Sequence, residues 1–394
     1  MKKKTYLFSI MTIFILLCVE GISFFATKFL QDKGVFYKPV VSPSYGDYLS
    51  KRDDFLGWPS SKDFGKDGSP YDSSGSRIVT AFPDPSRNQA CISLYGDSFT
   101  WSAEVDDKHA WNNILSTQVG CRVANYGVGG YGSDQAYLRF KQNRRDHSKI
   151  VFLNHHSENI LRNVNQFRDL LYPGEGLGFK PRFVIEGEGS FKLVPLPTFT
   201  EAQYKEVVLN PGLYLKNEYF LPNGPSGITQ ATFPYTLAVL KAFNQFHVKA
   251  KILGKSWYQD FYNSDHPSMG LEVTTNILTS FYQEALARGQ TPVLTIIPGG
   301  KDLLYFSEHA DWPYQNLIDE LSRQQIPILN VGIGLMKHMT GQDPCSLFGD
   351  CRAHYNEKGY ELLATVVYEF LTHSSLIDQI EIHHRSLNSD GNHP

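Results

Sequence analysis

The apolar pattern of the chain begins with one long run. From Tyr6 to about Thr27 the residues are mostly apolar, and Glu20 is the only charge among them. A membrane-spanning helix needs about 20 such residues, so the run is long enough. Lys2, Lys3 and Lys4 precede it, and basic flanks stay cytoplasmic, which sends the rest of the chain outward. A cleaved signal sequence has a shorter apolar region and ends in a small-x-small site. Only weak candidates for such a site occur, around Gly21 to Ala26. The expectation is a retained anchor over residues 1–30, in a cell membrane, with the folded part outside the cytoplasm.

Residues 31–88 are rich in Pro, Gly, Ser, Asp and aromatics and read as a linking arm. The stretch Asp54-Phe55-Leu56-Gly57-Trp58-Pro59 is apolar enough to pack on the domain that follows. Short apolar runs then alternate with stretches of helical spacing. Strands are expected at Ala90 to Tyr95, Cys121 to Tyr126, Lys149 to Asn154, Pro292 to Ile297 and Pro327 to Val331. Helices are expected at His109 to Thr117, Ser133 to Asn143, Pro267 to Arg288, Trp312 to Arg323 and Asn356 to Thr372. This alternation predicts an α/β domain over 89–373, a doubly wound, flavodoxin-like, five-stranded parallel sheet between helical layers. Ligands bind such sheets beyond the C-terminal strand ends. Residues 171–263 break the pattern and read as a cap-like insertion that covers or borders the site. Its aromatics, among them Phe183, Tyr214, Tyr219, Phe220 and Trp257, suit either sugar stacking or a small core of their own. Residues 374–394 form a polar tail.

Composition adds two points. The net charge is −3, and Lys and Arg are scattered beyond the first residues, so no basic stripe points to nucleic acid. Besides Cys18 in the apolar run there are four cysteines, an even count that permits two bridges in an exported domain. Cys91 and Cys121 begin successive strands and could meet at one sheet edge. Cys345 and Cys351 would close a short loop. Four separate thiols are the other reading.

Four segments carry candidate chemistry. In Gly96-Asp97-Ser98 a strand ends, a glycine permits a tight turn, and a serine follows. Backbone N–H groups there are not yet engaged by a helix and can hold an anion, which a nucleophilic serine needs. Asn125 to Gly132 is glycine-rich, and Gly127, Gly129 and Gly132 fit the spacing of a dinucleotide fingerprint. That reading is weakened because the strand is second in the domain, and the acidic partner would be Glu158, too far along. The alternative is a glycine backbone that approaches a reacting centre. Polar residues crowd the next strand end in His155-His156-Ser157-Glu158-Asn159. Asp350 and His354 flank a loop before the last helix, and a neutral histidine oriented by a carboxylate is a usual base for serine.

In this order and at these strand ends, the four segments resemble the sequence blocks of the SGNH, or GDSL, hydrolase superfamily. The resemblance covers about residues 90–165 and 290–373 and leaves the insertion unexplained. It maps the serine block onto Gly96-Asp97-Ser98, the glycine block onto Gly130, the asparagine block onto Asn159 and the last block onto Asp350 and His354. Ser157 and Ile160 replace the usual Gly and Asp around Asn159. Asp350 lies four residues before His354 where the family spacing is three. The resemblance implies a Ser98 nucleophile, a His354 base oriented by Asp350, and an oxyanion hole from the N–H groups of Ser98 and Gly130 with the Asn159 amide. It implies an esterase or O-acyltransferase working through an acyl-serine on an ester-bearing substrate. With the anchor, that substrate is expected to be an envelope or exported glycan, most simply an acetyl ester. A catalytically inactive SGNH-fold subunit that binds or assembles polysaccharide is the alternative. No cofactor or metal is expected, since His155, His156 and Glu158 lack a ligand spacing such as His-Glu-x-x-His.

Overall fold

A computed structural model describes residues 2–254 and 256–380. The described strands are β1 (Ala90–Tyr95), β2 (Arg122–Asn125), β3 (Ile150–His156), β4 (Arg182–Glu186), β5 (Ser190–Val194), β6 (Thr291–Ile297) and β7 (Ile328–Asn330). Five of them form a sheet of order β2-β1-β3-β6-β7, and all its pairings are parallel. The strands read as near-continuous apolar runs because both faces are covered: Ile92, Leu94, Val123, Val151, Leu153 and Leu294 are all buried. Each such side chain contributes about 1.5–3 kcal/mol on leaving water. Helices Trp111–Val119, Val331–His338 and Glu357–His373 pack as one group, and Ser133–Gln142 and Gly270–Ala287 as another. Right-handed crossovers on either side of β1 put the two groups on opposite faces. The fold is therefore the doubly wound parallel sheet expected from the alternation.

The chain divides into two compact units. The sheet unit comprises Lys51–Val164, Lys180–Leu196 and the described chain from Tyr258 to Ile380. Residues 51–88 of the expected arm belong to this sheet unit, and residues 31–50 do not. Gln135 donates a side-chain hydrogen bond to the Leu56 carbonyl (2.8 Å), and the Trp58 indole N–H donates to Gly129 O (2.9 Å). The Arg77 N–H donates to Asn125 O (2.8 Å), so the former arm covers the open edge of β2. The expected insertion is divided too. Its antiparallel hairpin β4–β5 lies in the sheet unit, where the Lys180 ammonium pairs with the buried Asp134 carboxylate and the Arg182 guanidinium donates to Val164 O (2.6 Å). Phe183 stacks on Phe191 within that hairpin and is core, not a sugar platform.

The second unit comprises Met1–Ser50, Asn165–Phe179 and Pro197–Trp257. It contains the helix Lys2–Asp32, whose stretch Lys4–Asp32 is long and apolar enough to cross a membrane. Phe220 is buried in this unit and lies edge-on to Tyr219.

Smaller differences have local causes. β3 runs on through His155 and His156, because its ladder with β6 continues to the pair His156–Ile297. The last helix ends at His373, but the chain stays ordered beyond it: Ile380 is buried, and Gln379 accepts a hydrogen bond from Thr291 (3.1 Å). The rest of the expected tail, 381–394, lies outside the described residues.

Candidate active site

The serine stands where β1 ends. A Cβ at Gly96 would strike the Thr100 side chain and sit 3.0 Å from Asn154 O, so only glycine lets the chain turn this closely. Asp97 caps the helix Ser98–Trp101 by accepting from the Phe99 N–H (2.9 Å). The Ser98 N–H, first in that helix, has no carbonyl one turn back to receive it. Ser98 itself is 7% exposed.

His354 reaches this serine from a loop over 250 residues away in sequence: its Nε2 lies 2.8 Å from Ser98 Oγ. The loop is pinned on both sides. Cys345 and Cys351 form a disulfide. Gly349 N–H donates to the His354 carbonyl (3.2 Å). Tyr355, fully buried, donates its hydroxyl to Pro298 O (2.7 Å) and stacks on Phe348. Asn356 then caps the last helix by accepting from Gly359 N–H (3.0 Å), while its amide holds Ser346 O and Phe348 O. The Phe99 ring lies under the His354 imidazole, 4.9 Å between centroids.

The carboxylate on the far side of the imidazole is Glu104, with Oε1 3.0 Å from Nδ1. This corrects the expectation for Asp350. Asp350 makes no hydrogen bond to His354; its carboxylate faces solvent and accepts from the Arg352 N–H (3.0 Å) and side chain, bonds that hold its pKa below the usual carboxylate value, the Arg352 N–H foremost. The third intervening residue lets the loop turn back on itself, with the Ala353 N–H donating to the Asp350 carbonyl (2.7 Å), so Asp350 is spent on the turn. Because Glu104 can only accept, the neutral imidazole carries its proton on Nδ1 and leaves Nε2 free to accept from Ser98. Nothing in the sequence marked Glu104. It lies six residues after Ser98 in a loop of ordinary composition, and what singles it out is backbone conformation: φ is 70° at Glu104 and 65° at Ser102. The buried Arg77 holds this loop, donating to the carbonyls of Trp101, Ser102 (2.8 Å) and Val105 (2.9 Å) and to the Asp107 carboxylate (2.8 Å).

The other expected residues lie at the neighbouring strand ends. Gly130, after β2, has φ 79°, a conformation that favours glycine, and its N–H donates to no backbone carbonyl among the described residues. Asn159 begins the helix Asn159–Asn163 after β3 and is fully buried, with neither amide atom hydrogen-bonded. A buried amide without a partner among the described residues costs free energy. Arg162 ties the three segments together. Its guanidinium reaches the Asp97 carboxylate (3.0 Å), the Tyr131 carbonyl (3.0 Å) and the Glu158 carboxylate (3.2 Å). The Asp97–Arg162 pair is buried, and removing one partner of such a pair costs about 3–5 kcal/mol. Ser157, where the family has Gly, donates to the buried Asp302 carboxylate (2.5 Å), which also accepts from Tyr258 (2.6 Å) and the Gly299 N–H (2.8 Å). Burial pushes the Asp302 carboxyl up and its hydrogen bonds oppose that shift. His155 sits between Ser133 Oγ and the Tyr262 hydroxyl, both 2.8 Å away, and burial pushes its acidity to about 3. It is a neutral structural residue.

No protein-family model and no curated protein sequence matches this chain. Among solved structures, it is similar to a member of the lipolytic protein G-D-S-L family from Veillonella parvula, with 13% identity, 71% of this chain and 97% of that one covered, and a TM-score of 0.33. A GDSL-like lipase from Bacteroides thetaiotaomicron aligns over 74% of this chain and 91% of its own, at 11% identity and a TM-score of 0.33. An alpha/beta hydrolase enzyme from the metagenome of Lake Arreo aligns over 73% and 97%, at 10% identity and a TM-score of 0.37. At these values the alignments carry no argument about chemistry. On the order of its parallel strands and the residues at their C-terminal ends, the chain resembles the SGNH, or GDSL, hydrolases.

Proposed function

We propose that the chain is a serine esterase or O-acyltransferase in which Ser98 is the nucleophile, His354 the base and Glu104 the residue that orients it. The observation that carries this reading is the unbroken series Ser98 Oγ, His354 Nε2, His354 Nδ1 and Glu104 Oε1, with spacings of 2.8 and 3.0 Å across the imidazole. His354 takes the Ser98 proton as the oxygen attacks an ester carbonyl. The N–H groups of Ser98 and Gly130 and the Asn159 amide receive the negative oxygen, each such donor being worth about 10²–10³ in rate. Collapse breaks the ester C–O bond, and the departing alkoxide takes the proton from His354 and leaves as an alcohol. The acyl-serine then passes its acyl group to water or to a second hydroxyl, whose proton returns through His354 to Ser98.

The apolar helix at the N-terminus and the two disulfides, Cys91–Cys121 and Cys345–Cys351, support an anchored, outward-facing enzyme. Acyl esters on an envelope or exported glycan, acetyl first among them, are the substrates within reach of such an enzyme. A fluorophosphonate probe should modify Ser98, and Ser98→Ala should abolish both the labelling and the turnover of an activated acetyl ester. Equal turnover by wild type and Ser98→Ala would replace the enzyme with a binding subunit. Product analysis with an acyl donor and a glycan acceptor separates free acid from acylated sugar.

A further inference from the structure

Glu20 is the one charge between Lys4 and Lys28, and it has specific partners. Its carboxylate accepts from the Tyr235 N–H, the Thr236 N–H (3.1 Å) and the Thr236 hydroxyl (2.7 Å). It therefore caps the N-terminus of the helix Tyr235–Ala242, where a negative group is favoured. With its proton on Glu20, the Thr236 oxygen accepts from the Ser23 hydroxyl (3.0 Å), and the Phe24 and Tyr235 rings meet edge to face.

These contacts fix a depth. This step rests on the reading of Lys2–Asp32 as a membrane anchor. At 1.5 Å per residue, Glu20 lies about 24 Å along the helix from Lys4, short of the outer boundary of a hydrocarbon layer about 30 Å thick. The start of the helix Tyr235–Ala242 must lie at that depth beside it. The sequence of that helix suits the place. One face packs Ala238 and Ala242 against Phe36 and Leu30. The opposite face is apolar as well and has no partner among the described residues to cover it: Leu237 is 47% exposed and Leu240 59%, and the flanking Phe233 and Phe243 are 73% and 58% exposed. A helix apolar all round belongs in a core or in lipid. The exposed face continues that of the anchor, where Ile22 and Phe25 are equally open. Lys241, the only charge of the short helix, lies at its end farthest from Glu20, where its stem can carry the ammonium to the headgroups.

We propose that the segment from Phe233 to Phe243 is a second membrane-contacting element, seated in the outer leaflet of the bilayer against the anchor, with Glu20 as the joint between them. The occupant of its apolar face is lipid. The test uses the full chain with Cys18→Ser, which removes the one free thiol, and a single added cysteine carrying an environment-sensitive dye. Leu240→Cys is compared with Leu16→Cys in the anchor and with Lys192→Cys on the exposed hairpin. Each is reconstituted into phosphatidylcholine–phosphatidylglycerol vesicles containing brominated lipids, and fluorophosphonate labelling of Ser98 confirms folding. The dye at Leu240 should be quenched several-fold more than at Lys192, most strongly by bromines near the headgroup end of the acyl chains. If Leu240 behaves like Lys192 while Leu16 is quenched, the anchor stands and the second element is overturned. If Leu16 is not quenched either, the anchor itself fails. Unquenched Leu240 with efficient Leu240–Leu240 cross-linking would overturn the lipid assignment in favour of a second copy of the chain.

Discussion

Glu104 holds a left-handed backbone that side chains with a Cβ avoid, at a cost of about 1–3 kcal/mol. The strain is sustained because Arg77 fixes the carbonyls on both sides of it. Its carboxylate is thereby aimed at His354 Nδ1, and Asp350 is left to its own turn. Replacing Glu104 by Gln should lower kcat by about 10²–10⁴-fold, because the amide can donate to Nδ1 and favours the wrong tautomer. Asp350→Asn should leave kcat within a few-fold of wild type. Steady-state kinetics on an activated ester decides the pair, and the opposite ranking would return the orienting role to Asp350. The residues legible in the sequence were those whose chemistry coincides with a local signal. Ser98 follows a strand and a required glycine, and His354 precedes a capped helix. Glu104 gave no such signal, since its role depends on one φ angle and on a contact with a residue 250 positions away. Asp350 misled because a spacing rule stood in for a geometry that one additional residue changes.

At the scale of elements, the site is one rigid piece and one loop. The ends of β1, β2 and β3 are locked to each other by the sheet ladder and by Arg162. The loop that brings His354 is held by the Cys345–Cys351 ring and by the tight approach of Cys351 to Gly300, where a Cβ would collide with the Cys351 carbonyl and lie 2.9 Å from its sulfur. The two disulfides should therefore separate in their effects. Loop-closure entropy assigns about 2 kcal/mol to the short ring and about 4 kcal/mol to the Cys91–Cys121 ring, which closes a longer segment. Cys91→Ala with Cys121→Ala should lower Tm more, and Cys345→Ala with Cys351→Ala should lower kcat/KM more. Calorimetry and kinetics on the two double variants check this, and equal loss of activity in both would deny the loop its special position. The parallel strands were readable from their apolar runs. The hairpin β4–β5 was not, because only the first three residues of β4 are buried and β5 is largely open, and its place depends on the pairing of Lys180 with the distant Asp134.

For the molecule as a whole, buried titratable groups set the response to acid. His155 is held neutral down to about pH 3 in the fold and takes its proton near 6.5 when unfolded. Its contribution is fully present above pH 6.5 and is lost as pH falls towards 3, because the unfolded chain then binds the proton that the native one refuses. Between pH 7.5 and 5 it should cost about 2 kcal/mol of stability. Urea unfolding at the two pH values measures the loss, and His155→Asn, which keeps a polar side chain there without the titration, should flatten the dependence. An unchanged slope would assign the acid sensitivity elsewhere. The division into two units was not legible either, because three separate stretches of chain make up the smaller one. Its joint at Glu20 also has a consequence in time. The partners of that carboxylate lie 215 and 216 residues farther along the chain. At a synthesis rate of about 5–20 residues per second, those partners are made roughly 10–40 s after Glu20. If Lys2–Asp32 is seated in a bilayer, its carboxylate is without these hydrogen bonds until then, and the final seating of the helix is decided late in biosynthesis, by a segment beyond the middle of the chain.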